Sequence, residues 1–247
     1  MAKQHVTVCL APCEPADLLR AIGEAMAPFD MNQDDIDLAE RHGRWDYWYV
    51  SGVGREFAVR PGHEHDPGLV RTEDWLDGMG LVPWTEDDAE RAPDRHCYGG
   101  PKELLDLGRE REEAAARAER EWRAWHELAA AHPAPLPFST FSARTERDPD
   151  AYPWDRAVAD YDAQPLRAAL EAHPDVDSFG DDPYATFGAD LDAYVERRVI
   201  RVLPTAALLT LDGRWAEGAG DDYYRWATHY LDALPPSSMI VRVHHHQ

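Results

Sequence analysis

The first hydrophobic pattern in the chain has a period of two. His5-Val6-Thr7-Val8-Cys9-Leu10 alternates polar and apolar side chains and predicts a strand. Pro12 to Pro15 then opens a helix, with Pro15 suited to its first position. Leu18, Leu19, Ile22 and Met26 recur at three- and four-residue spacing until Pro28 stops it. After an acidic segment from Asp30 to Glu40 comes Trp45-Asp46-Tyr47-Trp48-Tyr49-Val50, aromatic and β-branched. With the turn at Ser51 to Gly54 and the run Glu56-Phe57-Ala58-Val59, it predicts a hairpin. From Pro61 to Pro101 the pattern loses its period, which predicts a surface excursion with short pieces of structure.

From Lys102 to about Ala131 the period is helical. Ala118, Trp122, Trp125 and Ala129 form an apolar stripe, and Glu113 with Arg117 and Glu119 with Arg123 are favourable i,i+4 pairs. Such a helix would exceed about 40 Å and could bury its tryptophan face in the core or against a partner chain. A linker from Pro133 to Pro137 precedes shorter helical patterns at Trp154 to Tyr161, Leu166 to His173 and Ala189 to Val202. The closing segment reads as a ββαβ unit. Thr205 to Leu211 is a buried strand, Asp212-Gly213 a hairpin turn into Arg214-Trp215, and a helix capped by Asp221 or Asp222 runs to Leu234. Pro235-Pro236 ends that helix, and the last strand finishes in His244-His245-His246-Gln247. The expected fold is α+β: an antiparallel or mixed sheet, ferredoxin-like in part, with a long helix. It is read as one domain over 1–247, with sheet-forming ends at 1–60 and 203–247 around a loop-rich, helical middle at 61–202.

Composition narrows the class. The 247 residues are 44% hydrophobic and include nine tryptophans and ten tyrosines, enough for a sizeable core. No run approaches the roughly 20 apolar residues of a membrane helix, and the N-terminus lacks secretory-signal character, so a cytoplasmic location is expected. Cys9, Cys13 and Cys97 lack CxxC spacing and form an odd set, which fits a reducing compartment. The formal charge of −22 comes from 47 acidic against 25 basic residues. A phosphate backbone would be repelled, so no nucleic-acid ligand is expected, whereas an acidic mimic capturing a basic partner is a possible class.

Candidate chemistry concentrates at the last strand. Alternation puts Arg242, His244 and His246 on one face and Val241, Val243 and His245 on the other. If the first and last strands are neighbours, His5, His244 and His246 could supply three nitrogen ligands to zinc or another divalent metal, leaving a fourth position open as in a catalytic site. Glu217 or Asp46 would be the general base, with nothing in the spacing to choose between them. The alternative for these histidines is a solvated strand end. A second cluster, His63-Glu64-His65-Asp66, is bounded by Pro61-Gly62 and Pro67-Gly68 and reads as a solvated loop. Gly99-Gly100-Pro101 reads as a helix-start turn that could present amides to an anion. His96-Cys97 are adjacent, which rarely makes a useful pair. Dinucleotide, phosphate-loop and nucleophile-elbow motifs are absent.

His5-Val6-Thr7-Val8, Trp45-Asp46-Tyr47-Trp48-Tyr49-Val50, Asp212-Gly213-Arg214-Trp215 and the terminal strand together resemble an uncharacterised family of bacterial, especially actinobacterial, and phage proteins. Those proteins open with a His-Phe-Thr-Val-like strand, carry a Trp-Asp-Trp-Tyr-x-Ile-Gly-Gly-Arg-Trp-like hairpin, and end in an Asp-Gly-x-Trp-His turn, a Met-Gly-Trp-x-Gly loop and an Asp-Cys-His-Ile strand. The resemblance covers the two ends, about 100 residues, and implies architecture without a mechanism. This chain departs from it in reading Ser51-Gly52-Val53-Gly54-Arg55 for Gly-Gly-Arg-Trp, in having Ala216 for the histidine after the turn, and in lacking the Met-Gly-Trp loop. His5 and His246 match family histidines, and His244 stands where the family has aspartate. Retained framework and altered polar residues favour a non-catalytic binding or accessory protein with a protein partner or homo-oligomer. A divalent-metal hydrolase at His5, His244 and His246 is the alternative.

Overall fold

The computed structural model describes residues 3–32, 43–71, 73–74, 81–82, 95–173 and 186–246. The acidic segment beyond Asn32 and most of 75–94 lie outside the described residues. The fold is α+β with a long helix and a mixed sheet. The chain divides into two compact units, one formed by 1–112 with 199–247 and the other by 113–198.

The first unit is built on β1 (Lys3–Leu10), α1 (Leu18–Met26), β2 (Tyr47–Val50), β3 (Phe57–Ala58), β4 (Glu73–Asp74), β5 (Leu81–Val82), β6 (His96–Cys97) and β7 (Gly99–Pro101). A second run crosses both units, comprising α2 (Leu107–Ala131), α3 (Phe138–Arg147), α4 (Trp154–Asp162), α5 (Pro165–Glu171) and α6 (Leu191–Ile200). The chain closes with β8 (Ala207–Leu209), β9 (Trp215–Glu217), α7 (Asp221–Ala233) and β10 (Met239–His246).

The main sheet has the order β2-β10-β1-β8-β9, and β7 joins β10 beside residues 239–241. β10 is antiparallel to both β1 and β2, so β1-α1-β2 is a split βαβ unit with β10 between its strands. That half is ferredoxin-like, whereas the parallel β1/β8 pair makes the sheet mixed. The pleat separates two cores. Val6, Val8, Leu10, Trp48, Val50, Val241 and Val243 face α1, where Leu18, Ile22 and Met26 complete the layer. Cys9, Leu208 and Ile240 face the other way, toward Ala227, Leu231 and Leu234 of the α7 segment. Each fully buried aliphatic chain in these layers contributes about 1.5–3 kcal/mol of transfer free energy.

The predicted hairpin at Ser51 to Gly54 does not form. β2 pairs with β10, while Phe57 and Ala58 pair with Cys97 and His96 in a separate ladder. Joining β10 lets Trp48 and Val50 enter the α1 core, a burial that a two-stranded hairpin lacks. The supposed surface excursion is likewise part of the core at its described ends, where Leu69, Val70, Cys97 and Tyr98 are buried. Gly99-Gly100-Pro101 is a strand and not a helix-start turn. A Cβ on Gly99 would lie 2.3 Å from the Ile240 carbonyl oxygen, so the close approach to β10 requires glycine. The Asp212-Gly213 turn does join β8 to β9, with Gly213 at φ 77°. Neither aspartate caps α7. Gly220 occupies the N-cap, and Asp221 and Asp222 sit in the first turn, where their charge favours the positive end of the helix dipole.

The second unit is helical. Ala118, Trp125, Leu166, Leu170, Phe187 and Tyr194 form its core, and the remaining residues of the predicted α2 stripe, Trp122 and Ala129, pack against it partly buried. Trp122 Nε1 donates to the Ala189 carbonyl at 3.0 Å, and Trp125 stacks on Phe187 with centroids 5.4 Å apart. Glu121 is buried, accepting from Tyr194 Oη at 2.9 Å and pairing with Arg198 at 3.0 Å. No described helix is long and apolar enough to cross a membrane.

Candidate functional site

β10 is flanked by β1 and β2, and the register sets the predicted histidines in rows across the three strands. His5 lies opposite His244, and Tyr49 lies opposite His244 from the other side. One row further out, Tyr47 faces His246. The outcome is a ladder of phenol and imidazole rings on one sheet face. His5 and His244 stack with centroids 4.7 Å apart and planes 18° apart, and Tyr47 stacks on His246 at 4.9 Å and 16°.

Each row has its own polar anchor. Tyr49 Oη lies 2.5 Å from His244 Nδ1. His246 Nδ1 lies 2.9 Å from both carboxylate oxygens of Asp46. A carboxylate only accepts, so the shared proton belongs to Nδ1. Burial works against the Asp46 charge, but hydrogen bonds from His246 and from the Tyr47 amide outweigh it and hold the carboxyl below its ordinary range.

The same face runs inward to Arg242, which is fully buried. Its Nε donates to the Arg55 carbonyl at 2.9 Å, one terminal nitrogen to the Leu203 carbonyl at 2.6 Å, and the other to Thr7 Oγ1. Its guanidinium carbon sits 3.9 Å from the Phe57 ring centroid. Three neutral acceptors and an aromatic face therefore hold a cation in the core, and burial pulls its pKa down to about 10. Burial first, then the neighbouring His244 and Arg242, pushes His5 down to about 4. His5 Nε2 is buried without a hydrogen-bond partner among the described residues.

Alternation placed His244 and His246 on one face, with His5 joining them only if the first and last strands were neighbours, and the β1–β10 pairing sets His5 directly opposite His244. The lone pairs of His5 and His244 do not converge. Imidazole lone pairs lie in the ring plane, so two rings stacked nearly parallel direct theirs side by side, whereas zinc needs nitrogens about 2.0–2.1 Å from one point. Among the described residues no group of three or more His, Cys, Asp or Glu side chains is arranged to hold a metal ion. Asp46 reaches the cluster and Glu217 does not. Val6, Ala207 and Glu217 share a register row on the α1 face, opposite His5, and Glu217 pairs with Arg44 at 2.9 Å. His245 lies on that α1 face too, packed edge-on to Trp215 with centroids 5.4 Å apart. Both of its ring nitrogens are buried, and burial outweighs a contact with the Arg44 backbone and pushes its pKa down to about 4. In the loop 63–66, His63 and His65 are exposed, and the Asp66 carboxylate accepts the Gly68 amide at 2.9 Å. Cys97 is buried, its thiol pushed up to about 12 by desolvation.

A different kind of feature lies in the helical unit, where only a short helical pattern from Trp154 is expected from the sequence. Trp154 is 55% exposed, Leu136 50% and Val158 37%. Trp154, Val158 and Tyr161 repeat at i, i+4 and i+7 on α4, and Phe138 stands edge-on to both Trp154 and Tyr161 with centroids 5.2 Å apart. Gln164 joins Leu136 to the end of the same row, accepting from its amide at 2.6 Å and donating to its carbonyl at 3.1 Å. The hairpin of α3 and α4 thus carries a connected apolar face open to water.

No protein-family model, curated protein or solved structure matches this chain.

Proposed function

We propose that this is a non-catalytic binding or accessory protein that works through contact with another protein. The observation that carries the reading is the connected face of Leu136, Phe138, Trp154 and Val158, since an exposed indole beside exposed aliphatic groups is the kind of surface a partner covers. The histidine ladder is consistent with it. Tyr49 and Asp46 hold two of its rings and stacking orients the third, so the ladder reads as a structural element across one end of three adjacent strands. Affinity capture with the full chain, followed by reconstitution from purified components, tests the proposal. A saturable 1:1 or 2:2 complex is expected, and failure of every captured candidate to reconstitute would sink the reading.

The runner-up is a divalent-metal hydrolase at His5, His244 and His246. One observation favours it: His5 and His244 are direct cross-strand neighbours, and the buried Nε2 of His5 lacks a partner among the described residues. An ion would require the stacked rings to rotate. Elemental analysis of untagged protein, compared with a His244→Ala/His246→Ala double variant, decides it. About one zinc per chain, lost in the variant, supports the metal reading; no metal in either removes it.

A further inference from the structure

We infer that the α3–α4 face is a docking site for a basic amphipathic segment of a partner protein, with Trp154 as its anchor. The inference rests on the binding-protein reading and adds the partner's chemistry to it. Trp154 offers an indole that is more than half open, and Asp155 follows it at the start of α4 with an exposed side chain. Asp150, also exposed, lies in the turn that leads into the same helix. Exposed aromatic surface and exposed carboxylates at one end of the same helix suit a basic amphipathic segment, whose cations are drawn to the acids and to the ring while its apolar residues meet the face. Val158, Phe138 and Leu136 continue the face with apolar surface for leucine-like residues.

Two nearby cations of this chain, Arg144 and Arg156, are already engaged. Arg144 and Arg156 lie over the Tyr152 ring at 5.8 and 5.4 Å, and Arg156 also reaches Asp160 at 3.9 Å. The net charge of −22 selects among occupants. A second copy of the chain and an anionic membrane are both repelled, whereas a lysine-rich helix is attracted at long range and gains apolar contact on arrival.

The test is a titration of the full chain with a fluorescent leucine–lysine amphipathic helical peptide, read by anisotropy. Trp154→Ala and Leu136→Ser are compared with wild type, and thermal melts confirm that each is folded. Saturable binding is expected, weakened about tenfold or more by Trp154→Ala and also by Leu136→Ser, with a glutamate-for-lysine peptide failing to bind. Asp155→Asn is expected to weaken binding and reduce its dependence on salt. Equal binding by wild type and both apolar variants overturns the site and assigns the attraction to diffuse surface charge, while leaving a protein-binding role intact. If wild type ignores the peptide but a reconstituted native partner still binds, the basic chemistry is wrong and the binding reading survives. Trp154-dependent self-association in sedimentation, or Trp154-dependent binding to phosphatidylcholine vesicles, would overturn the proposal in favour of a second copy or a lipid surface.

Discussion

His246 directs Nδ1 to both carboxylate oxygens of Asp46, 2.9 Å from each, and so ties the outer end of β10 to the residue preceding β2. The Asp46 amide completes the tie by donating to the His246 carbonyl at 3.0 Å. Asp46→Asn keeps the shape and removes the charge. It is expected to cost up to about 1 kcal/mol in urea denaturation at pH 7, a modest value because the pair is partly exposed. The Asp46 contribution should vanish below the ordinary carboxylate range, since its depressed folded pKa stabilises only while the carboxylate is ionised. An unchanged midpoint at pH 7 would mean that the tie is ornamental.

His5 and His245 are both held neutral, with pKa values pushed down to about 4 from an ordinary 6.5. The unfolded chain therefore binds more protons than the folded one between those values, and stability is lost as pH falls from about 6.5 toward 4. For the buried His245 the loss at pH 5 reaches at most about 2 kcal/mol. Denaturation of wild type and His245→Phe at pH 7 and pH 5 measures it. The variant should show the smaller difference between the two pH values.

Arg242 should tolerate neither truncation nor exchange for lysine. Arg242→Ala is predicted to cost about 3 kcal/mol or more, because Thr7 and the carbonyls of Arg55 and Leu203 lose their donor while Phe57 loses its packing. Lysine has one ammonium and no planar fork, so Arg242→Lys recovers only part of that loss. Equal stability of Arg242→Lys and wild type would contradict the three-acceptor account.

Gly99→Ala is expected to displace β7 from β10, since its Cβ would fall 2.3 Å from the Ile240 oxygen and 2.7 Å from the Val241 Cα. A drop of several degrees in Tm is predicted, with faster exchange of the Ile240 amide region.

Thiol chemistry separates the cysteines. Desolvation pushes Cys9 and Cys97 up to about 12, and both are buried, whereas Cys13 is only half-buried. Iodoacetamide on the native protein should modify Cys13 alone, with the other two reacting after denaturation, as peptide mass mapping would read.

Much of the sheet was legible because alternation is local. Val6 and Val8 against His5 and Thr7, and Val241 and Val243 against Arg242 and His244, assign faces without any knowledge of partners. Pairing was less legible. Ser51 to Gly54 carries a good turn, yet Tyr47 to Val50 takes β10 as its partner, about 200 residues away by the loop-closure scale at modest extra cost, in return for burying Trp48 and Val50. The Asp46–His246 and Tyr49–His244 contacts follow from that pairing and could not precede it. The α3 helix, with sparse apolar residues in Phe138 to Arg147, gave too weak a period to be seen. The exposed face therefore needed the structure, since exposure depends on how α3 and α4 meet.

The β1–β10 pair sets how the chain must reach its native state. Thr7 and Arg242 meet across 235 positions, so the entropy lost on closing that loop is about 5 kcal/mol before any contact forms. The Glu121–Arg198 contact of the helical unit spans only 77 positions and closes at lower entropic cost, whereas β1 gains its two neighbours only once residues 207–209 and 239–246 are available. Slow refolding from denaturant, limited by sheet closure, is the expected kinetic signature of this topology.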